Sequence, residues 1–153
     1  MRTSSIALVV ILLAPAVAGA QVSIRPGQYE YTLDLNMAVP KEAATAVLDA
    51  AGFNKQQKRL DCITADQARQ AKEDVVKFLA QEMQLQDCKM SDVKFSANKL
   101  SFTTTCVEDS VKMVGTNEVT FGVDSFTSVG TMKGDGGLSS SMKMSARRVG
   151  ECK

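Results

Sequence analysis

Strict alternation of apolar and polar side chains is the feature that most constrains the fold of this chain. It is clearest in QYEYTLDLNM, where apolar side chains occupy the odd positions from Tyr29 to Met37 and polar side chains occupy the even ones. A period of two predicts a β-strand in a sheet with one apolar face and one solvated face. Pro26 and Gly27 mark the start of this strand, because both residues interrupt regular structure.

Further strands joined by short turns follow in the C-terminal part of the chain. Two hairpins centre on Ala97-Asn98 and Asp124-Ser125, and a glycine-rich stretch at 134–137 precedes the last strand. This spacing predicts an antiparallel meander. Residues 108–115 are poorly patterned, so we expect them to form an exposed loop.

Two helices are predicted between the first strand and the meander. Pro40 suits the first position of a helix that ends before Gly52. A second helix is predicted after Thr64, which forms a capping box with Gln67; if unbroken, this helix runs from Ala65 to Gln86.

These elements together define the expected fold class. With a short strand over residues 58–63, the chain has about six to seven strands. We therefore expect an α+β, β-dominated fold, in which a curved antiparallel meander sheet is packed by one or two helices.

The turns also predict which side chains share a face, because a slip of one residue reverses every side chain of a strand. A two-residue turn at Asp124-Ser125 places Phe121 opposite Ser128. In the last hairpin, an odd-length loop such as 134–138 places Met142 and Met144 on the same apolar face.

Two interpretations of Met142 and Met144 are open. Their thioethers could bind Cu(I), which is a soft metal ion, or they could fill the core, since Met adapts to irregular spaces. Soft-metal sites usually have three or more soft ligands, and the chain contains no His. The core interpretation is therefore favoured, and we predict neither a metal site nor a cofactor.

The four cysteines, Cys62, Cys88, Cys106 and Cys152, predict two disulfide bonds in an exported chain. The rival interpretation is a four-thiolate zinc site. Such a site usually contains close Cys-x-x-Cys pairs, whereas the gaps here are 26, 18 and 46 residues.

The predicted elements favour one disulfide connectivity. The hairpin brings Cys88 towards Cys106, but its register places Cys88 opposite Val107, one residue away. Either a β-bulge near Ser91-Asp92 or a Cys88 that lies before the first paired residue of the strand would correct this mismatch. An unbroken helix of about 33 Å would disfavour Cys62–Cys88, because disulfide-bonded Cα atoms lie within about 7 Å; a shorter helix, or a chain that doubles back, would allow this pair. We therefore predict the pairs Cys88–Cys106 and Cys62–Cys152. No local feature favours the third connectivity, in which Cys62 pairs with Cys106 and Cys88 with Cys152.

The first 20 residues have the pattern of a signal peptide. Arg2 gives a positive start, Ile6 to Leu13 form a short apolar run, and Ala18-Gly19-Ala20 fits a cleavage site. We expect cleavage after Ala20, a single exported domain over 21–153 and a periplasmic or secreted location. An N-terminal membrane anchor is the alternative, but the apolar run is short for a span, and no later stretch is apolar enough.

Charge argues against nucleic acid as a partner. The whole chain has 18 basic and 17 acidic side chains, and Arg2 is the only charged one among the first 20 residues. The predicted mature chain therefore has 17 of each and is neutral. Nucleic acids and anionic membranes require clustered positive charge.

Several pieces of the chain together resemble an exported proteobacterial family that is known as a domain of unknown function (number 3617). The pieces are IRPGQYEYT, DCITADQA, DCKMSDVKFSANKLSFTTTC, NEVTFGVDSFTSVGTMK and MKMSARRVGEC, which span most of the predicted mature chain. The resemblance implies a small, secreted or periplasmic, β-rich protein with paired cysteines, and it implies no activity. Members often have a Met/Pro-rich stretch after the first strand, where this chain has KEAATAVLDAAG; any binding role of that stretch is therefore in doubt here.

The sequence does not favour an enzyme. It has no His, the commonest general base, and no nucleophile elbow, phosphate-binding loop or zinc-binding helix motif. Asp61 and Asp66 lie near a cysteine, but Asp is common at strand edges and helix starts for structural reasons.

We instead expect a non-catalytic protein that binds an apolar small molecule between the curved sheet and its helices. An envelope protein–protein interaction or structural module is the alternative. Arg147-Arg148 could bind an anionic group or a partner, or simply end a solvated strand. The candidate pocket-lining residues are Tyr29, Tyr31, Phe121, Phe126, Met132 and Met142. For these residues a role in filling the core is favoured over pocket lining, since a sheet of this size usually needs all of its apolar face to fold.

Overall fold

The computed structural model describes residues 22–38, 56–83, 85, 88–108 and 111–153. The predicted signal peptide and the predicted helix that begins at Pro40 lie outside these ranges. The elements, numbered in chain order, are β1 (Gly27–Ala38), β2 (Gln56–Ile63), α1 (Ala65–Glu73), α2 (Val75–Glu82), β3 (Cys88–Ser96), β4 (Lys99–Glu108), β5 (Val111–Phe121), β6 (Ser125–Gly134) and β7 (Ser139–Gly150).

In the described residues, seven strands form one open, curved antiparallel sheet in the order β2-β1-β7-β6-β5-β4-β3. Strands β3 to β7 are a meander, and β7 also pairs with β1, so the last strand of the chain lies beside the first. Because α1 and α2 pack on one face only, the predicted β-dominated α+β fold is confirmed. The face that the helices cover is called the inner face below.

Phe126 is at the centre of the core on the inner face. Its ring lies 5.9–6.5 Å, between centroids, from four other aromatic rings, those of Tyr29, Tyr31, Phe78 and Phe121. Edge-to-face arrangements such as those of Tyr31 and Phe78 stabilise aromatic clusters beyond the area they bury. This cluster attaches α2, through Phe78, to three strands of the sheet.

The N-terminal segment covers the core at the β5–β6 turn. Val22 and Ile24 are buried there, and the backbone N–H of Arg25 donates to the carbonyl of Val123 over 3.0 Å. The hydroxyl of Tyr29 donates to the carbonyl of Arg25 over 2.8 Å. This end of the inner face is therefore closed by the chain itself.

The second predicted helix is not unbroken, because the chain leaves helical geometry at Asp74 (φ −146°, ψ 82°). The carboxylate of Asp74 accepts the backbone N–H of Lys77 over 3.0 Å and so caps a second helix. The predicted capping box of Thr64 and Gln67 is confirmed at the start of α1. A side-chain cap within an apolar stripe is what divides the helix.

The register of the β5–β6 hairpin differs from the prediction by two residues. Phe121 lies opposite Phe126, so four residues, rather than two, form the connection. The carbonyls of Val123 and Asp124 accept backbone N–H groups from Arg25 and Arg148, which holds the longer loop in place. The side chains keep their predicted face, because a shift of two preserves the alternation.

The register of the last hairpin is as predicted. Lys133 lies opposite Ser139, which leaves the odd-length loop 134–138, and Met144 and Met142 face Ser128 and Gly130. The predicted loop over 108–115 is wrong, since β4 extends to Glu108 and β5 begins at Val111. Pairing with β4 holds this poorly patterned stretch in the sheet.

Both predicted disulfide bonds are present, Cys62–Cys152 and Cys88–Cys106. The register of β3 with β4 shifts between Ser91 and Lys94, where Asp92 has a φ of 52°, and this predicted bulge places Cys88 opposite Cys106. The connectivity is the expected one. The argument that an unbroken helix would separate Cys62 from Cys88 does not hold, however, because the helix is divided at Asp74.

Candidate functional site

A cavity of 290 Å³ opens on the inner face, where β1, β2 and β7 meet the C-terminal end of α2. We call it the Met cavity, after three of its side chains. The residues that line it are Tyr31, Leu33, Gln57, Lys58, Arg59, Glu82, Met83, Met142 and Met144.

Strand register brings the sheet side of the Met cavity together. Leu33 of β1 lies opposite Gln57 of β2 and opposite Met144 of β7, which forms a row across three strands. Met142 is two residues from Met144 on the same strand, so both side chains point to the inner face. Tyr31 lies opposite Arg59 in the neighbouring row.

The end of α2 supplies the other wall. The helix finishes at Glu82, and Met83 follows as its C-terminal cap residue. The sulfur of Met83 lies 4.0 Å from the hydroxyl oxygen of Ser128, which is directly opposite Met144. The termination of α2 therefore places a third methionine beside the two on β7.

A polar group of three side chains forms one wall of the Met cavity. The hydroxyl of Tyr31 donates to the carboxylate of Glu82 over 2.8 Å. The guanidinium carbon of Arg59 lies 4.8 Å from the centroid of the Tyr31 ring, a cation–π distance. Burial, together with the charge and hydrogen bond of Glu82, raises the pKa of Tyr31, so the hydroxyl remains protonated and acts as a donor.

The apolar part of the Met cavity consists of Leu33 and the three methionines. Met144 is 5 % exposed, whereas Leu33, Met83 and Met142 are half-buried. Methionine side chains are flexible and polarisable, so such a surface can adapt to ligands of different shape. An apolar wall facing a small number of oriented polar groups is the usual composition of a small-molecule site.

The six candidate pocket residues from the sequence fall in different places. Tyr31 and Met142 line the Met cavity. Tyr29 and Phe126, which are 0 % and 1 % exposed, are packed in the core. Phe121 borders a small depression beside Val22, and Met132 borders a shallow groove with Met37. The structure does not bring these six residues into one cavity.

Sequence reasoning did not select Leu33, Arg59, Glu82 or Met83 for the site. Met83 carries a signal, because it ends the apolar stripe of the second predicted helix. The placement of Glu82 beside Tyr31 has none, since the two residues are 51 positions apart and meet only when α2 packs on β1.

The disulfide bonds fit a protein of the periplasm or of the extracellular space, where thiols become oxidised. None of the helices in the described ranges is long and apolar enough to cross a membrane.

Comparison with known proteins gives a family. Residues 24–152 match the family model described as "Protein of unknown function (DUF3617)", which covers nearly the whole chain. Neither the curated proteins nor the solved structures contained a match.

Proposed function

The chain belongs to the DUF3617 family of proteins of unknown function, and we propose from its geometry that it is a non-catalytic protein that binds an apolar small molecule in the Met cavity. The observation that carries the proposal is the lining of this partly enclosed cavity, in which Leu33 and three methionines face the hydrogen-bonded pair Tyr31 and Glu82. Small-molecule sites are typically concave and mostly apolar, with a few polar groups that orient the ligand.

The composition of the Met cavity indicates the class of ligand. A volume of 290 Å³ corresponds to about ten water molecules at about 30 Å³ each, which is space for a small organic molecule. Leu33 and the methionines favour an apolar body. The polar group of Tyr31, Glu82 and Arg59 favours a ligand with a polar end that can receive or donate a hydrogen bond.

We further propose that the protein is exported through the N-terminal signal peptide and acts in the periplasm or outside the cell. The two disulfide bonds support this location. The proposed role is to hold or carry an apolar compound that water dissolves poorly.

A fluorescent probe tests the proposed site. N-phenyl-1-naphthylamine is uncharged and apolar, and its emission rises when it leaves water. We expect the wild-type protein to enhance its emission saturably, and Leu33→Trp to abolish the enhancement, because the indole fills the cavity. The matched control is Leu60→Trp, since Leu60 is 61 % exposed on the same sheet and does not line the Met cavity.

Circular dichroism establishes that each variant is folded. If Leu33→Trp does not fold, Met142→Trp offers a second way to fill the cavity from a half-buried position. A wild-type protein that leaves the emission unchanged, or folded variants that bind the probe as well as wild type does, would refute the proposed site.

Native mass spectrometry identifies what the protein binds in its own cells. Protein isolated without denaturation is expected to retain an added mass of a few hundred daltons, which organic extraction removes. A co-purifying protein with no small-molecule mass would instead support an interaction module and count against the proposal.

A further inference from the structure

The three methionines of the Met cavity support a second kind of ligand. We propose that Met83, Met142 and Met144 bind a soft monovalent metal ion, Cu(I) or its analogue Ag(I), through their thioether sulfurs. The site would lie in the same cavity, but the proposal does not depend on an apolar ligand. From the sequence, two methionines were too few for a soft-metal site; the fold adds a third from a different element.

The strand and helix positions allow the three sulfurs to converge. Met142 and Met144 are neighbours on one face of β7, with Cα atoms about 7 Å apart at the usual rise of a strand. The sulfur of Met83 lies 4.0 Å from the hydroxyl oxygen of Ser128, which is directly opposite Met144. Directly opposed residues have Cβ atoms about 5 Å apart, so the Met83 sulfur lies beside Met144. Each methionine side chain has three rotatable bonds, so the three sulfur atoms can move towards a common metal ion.

The donor chemistry selects soft ions. Thioethers are neutral and soft, and they suit Cu(I) rather than hard cations such as Mg²⁺ or Ca²⁺. The chain contains no His, and its four cysteines are in disulfide bonds, so thioethers are its available soft donors. Thioethers also have no proton to lose, so the affinity is expected to vary little between pH 5 and pH 8.

The charges around the cavity sharpen this selectivity. Among the described residues, the lining contains the carboxylate of Glu82 and the two cations Lys58 and Arg59, so the formal charge of these side chains is positive. Electrostatic attraction therefore does not assist a cation, and binding must come from the sulfur–metal bonds. We expect Ca²⁺, Mg²⁺ and Zn²⁺ to leave the site empty at concentrations at which Ag(I) saturates it.

The test uses Ag(I), which has the softness of Cu(I) without its redox chemistry. Isothermal titration and native mass spectrometry of the wild-type protein are expected to show one Ag(I) per chain. In the double variant Met142→Leu/Met144→Leu the affinity should fall at least about 100-fold, the upper end of the loss seen when a group supporting a metal is removed. The matched control, Met132→Leu, changes a methionine of the inner face that does not line the Met cavity.

NMR spectra of methyl-labelled methionine distinguish metal binding at these sulfurs from a general change in structure. In spectra of the [¹³C-methyl]methionine protein, Ag(I) should shift the resonances of Met83, Met142 and Met144 and leave that of Met132 in place. Unchanged spectra, shifts confined to other methionines, or equal affinity in the double Leu variant would overturn the metal proposal.

The same variants separate the two proposals. Leucine replaces methionine at similar volume and polarity, typically for less than about 1.5 kcal/mol, so the double Leu variant should fold and still bind the apolar probe. Probe binding without Ag(I) binding in wild type would refute the metal site alone. Ag(I) binding without probe binding would refute the apolar ligand alone.

Discussion

Removal of the Cys62–Cys152 disulfide bond is expected to destabilise the protein more than removal of Cys88–Cys106. Cys62 lies on β2, an edge strand that pairs only with β1 in the described sheet, and Cys152 lies two residues after the end of β7. The bond therefore ties the end of the chain to a strand that has one hydrogen-bonded neighbour. Cys88–Cys106 also holds an edge strand, β3, but a short hairpin already connects that strand to its neighbour β4.

The expected magnitudes come from the loops that the bonds close in the unfolded chain. The sequence separations are 90 residues for Cys62–Cys152 and 18 for Cys88–Cys106. The chain-entropy relation gives about 4.6 kcal/mol for the long loop and about 3.2 kcal/mol for the short one at 25 °C. Because small domains unfold at a cost of about 5–15 kcal/mol, losing the longer bond removes a large part of the total stability.

Urea unfolding followed by circular dichroism measures the difference. Cys62→Ala/Cys152→Ala should lose about 1.4 kcal/mol more unfolding free energy than Cys88→Ala/Cys106→Ala, the difference between the two loop terms. The m-value should also rise more in the first variant, since its unfolded chain is less constrained and exposes more surface. Equal losses, or a larger loss from the short loop, would refute an entropic origin and point to strain or local contacts in the native state.

Two further perturbations test the packing of the inner face. Because the pKa of Tyr31 is raised, the native state keeps a proton that the unfolded state releases above about pH 10; stability is thus full below that pH and falls as pH rises. Tyr31→Phe should reduce this fall by up to about 1.4 kcal/mol per pH unit in urea titrations between pH 9 and 11, and identical slopes would contradict the assignment. A Cβ at Gly130 would collide with the side-chain oxygen of Asn117, whose amide donates to the buried hydroxyl of Thr104 over 2.8 Å. Gly130→Ala should therefore cost about 1–3 kcal/mol. Gly150→Ala, whose Cβ would have no atom within 4 Å beyond its chain neighbours, should stay within about 0.5 kcal/mol; similar costs would show that the contact is unimportant.

Local patterns in the sequence were enough for most of the sheet. The alternation around Tyr29 and Tyr31 predicted β1 and its buried face, because the side-chain period of a strand is a property of the backbone. The mismatch of Cys88 and Cys106 allowed two corrections, of which the structure has the bulge near Asp92, and the odd loop before β7 predicted the face of Met142. In each case the relevant neighbours are joined by a short connection, so counting residues is sufficient.

Features that depend on competing contacts were not predictable in this way. The apolar stripe of the helical segment continues past Asp74, and only the capping geometry reveals the break. The β5–β6 connection is longer than its sequence suggested, since its carbonyls bond to Arg25 and Arg148 from elsewhere in the chain. Residues 111–115 lack alternation, yet pairing with β4 makes them a strand.

The sequence by itself determined the strand alternation, the Cys88–Cys106 pair and the face on which Met142 and Met144 lie, because these follow from backbone geometry over short separations. Cys62–Cys152, which are 90 residues apart, followed only as the two cysteines that remained. Only the tertiary structure decided that the end of α2 brings Glu82 to Tyr31 and Met83 to the methionines of β7. It also decided that a space stays open between them while Tyr29 and Phe126 are fully packed. A cavity is set by how helix and sheet fit together, and that fit is a sum of long-range contacts that no local pattern records.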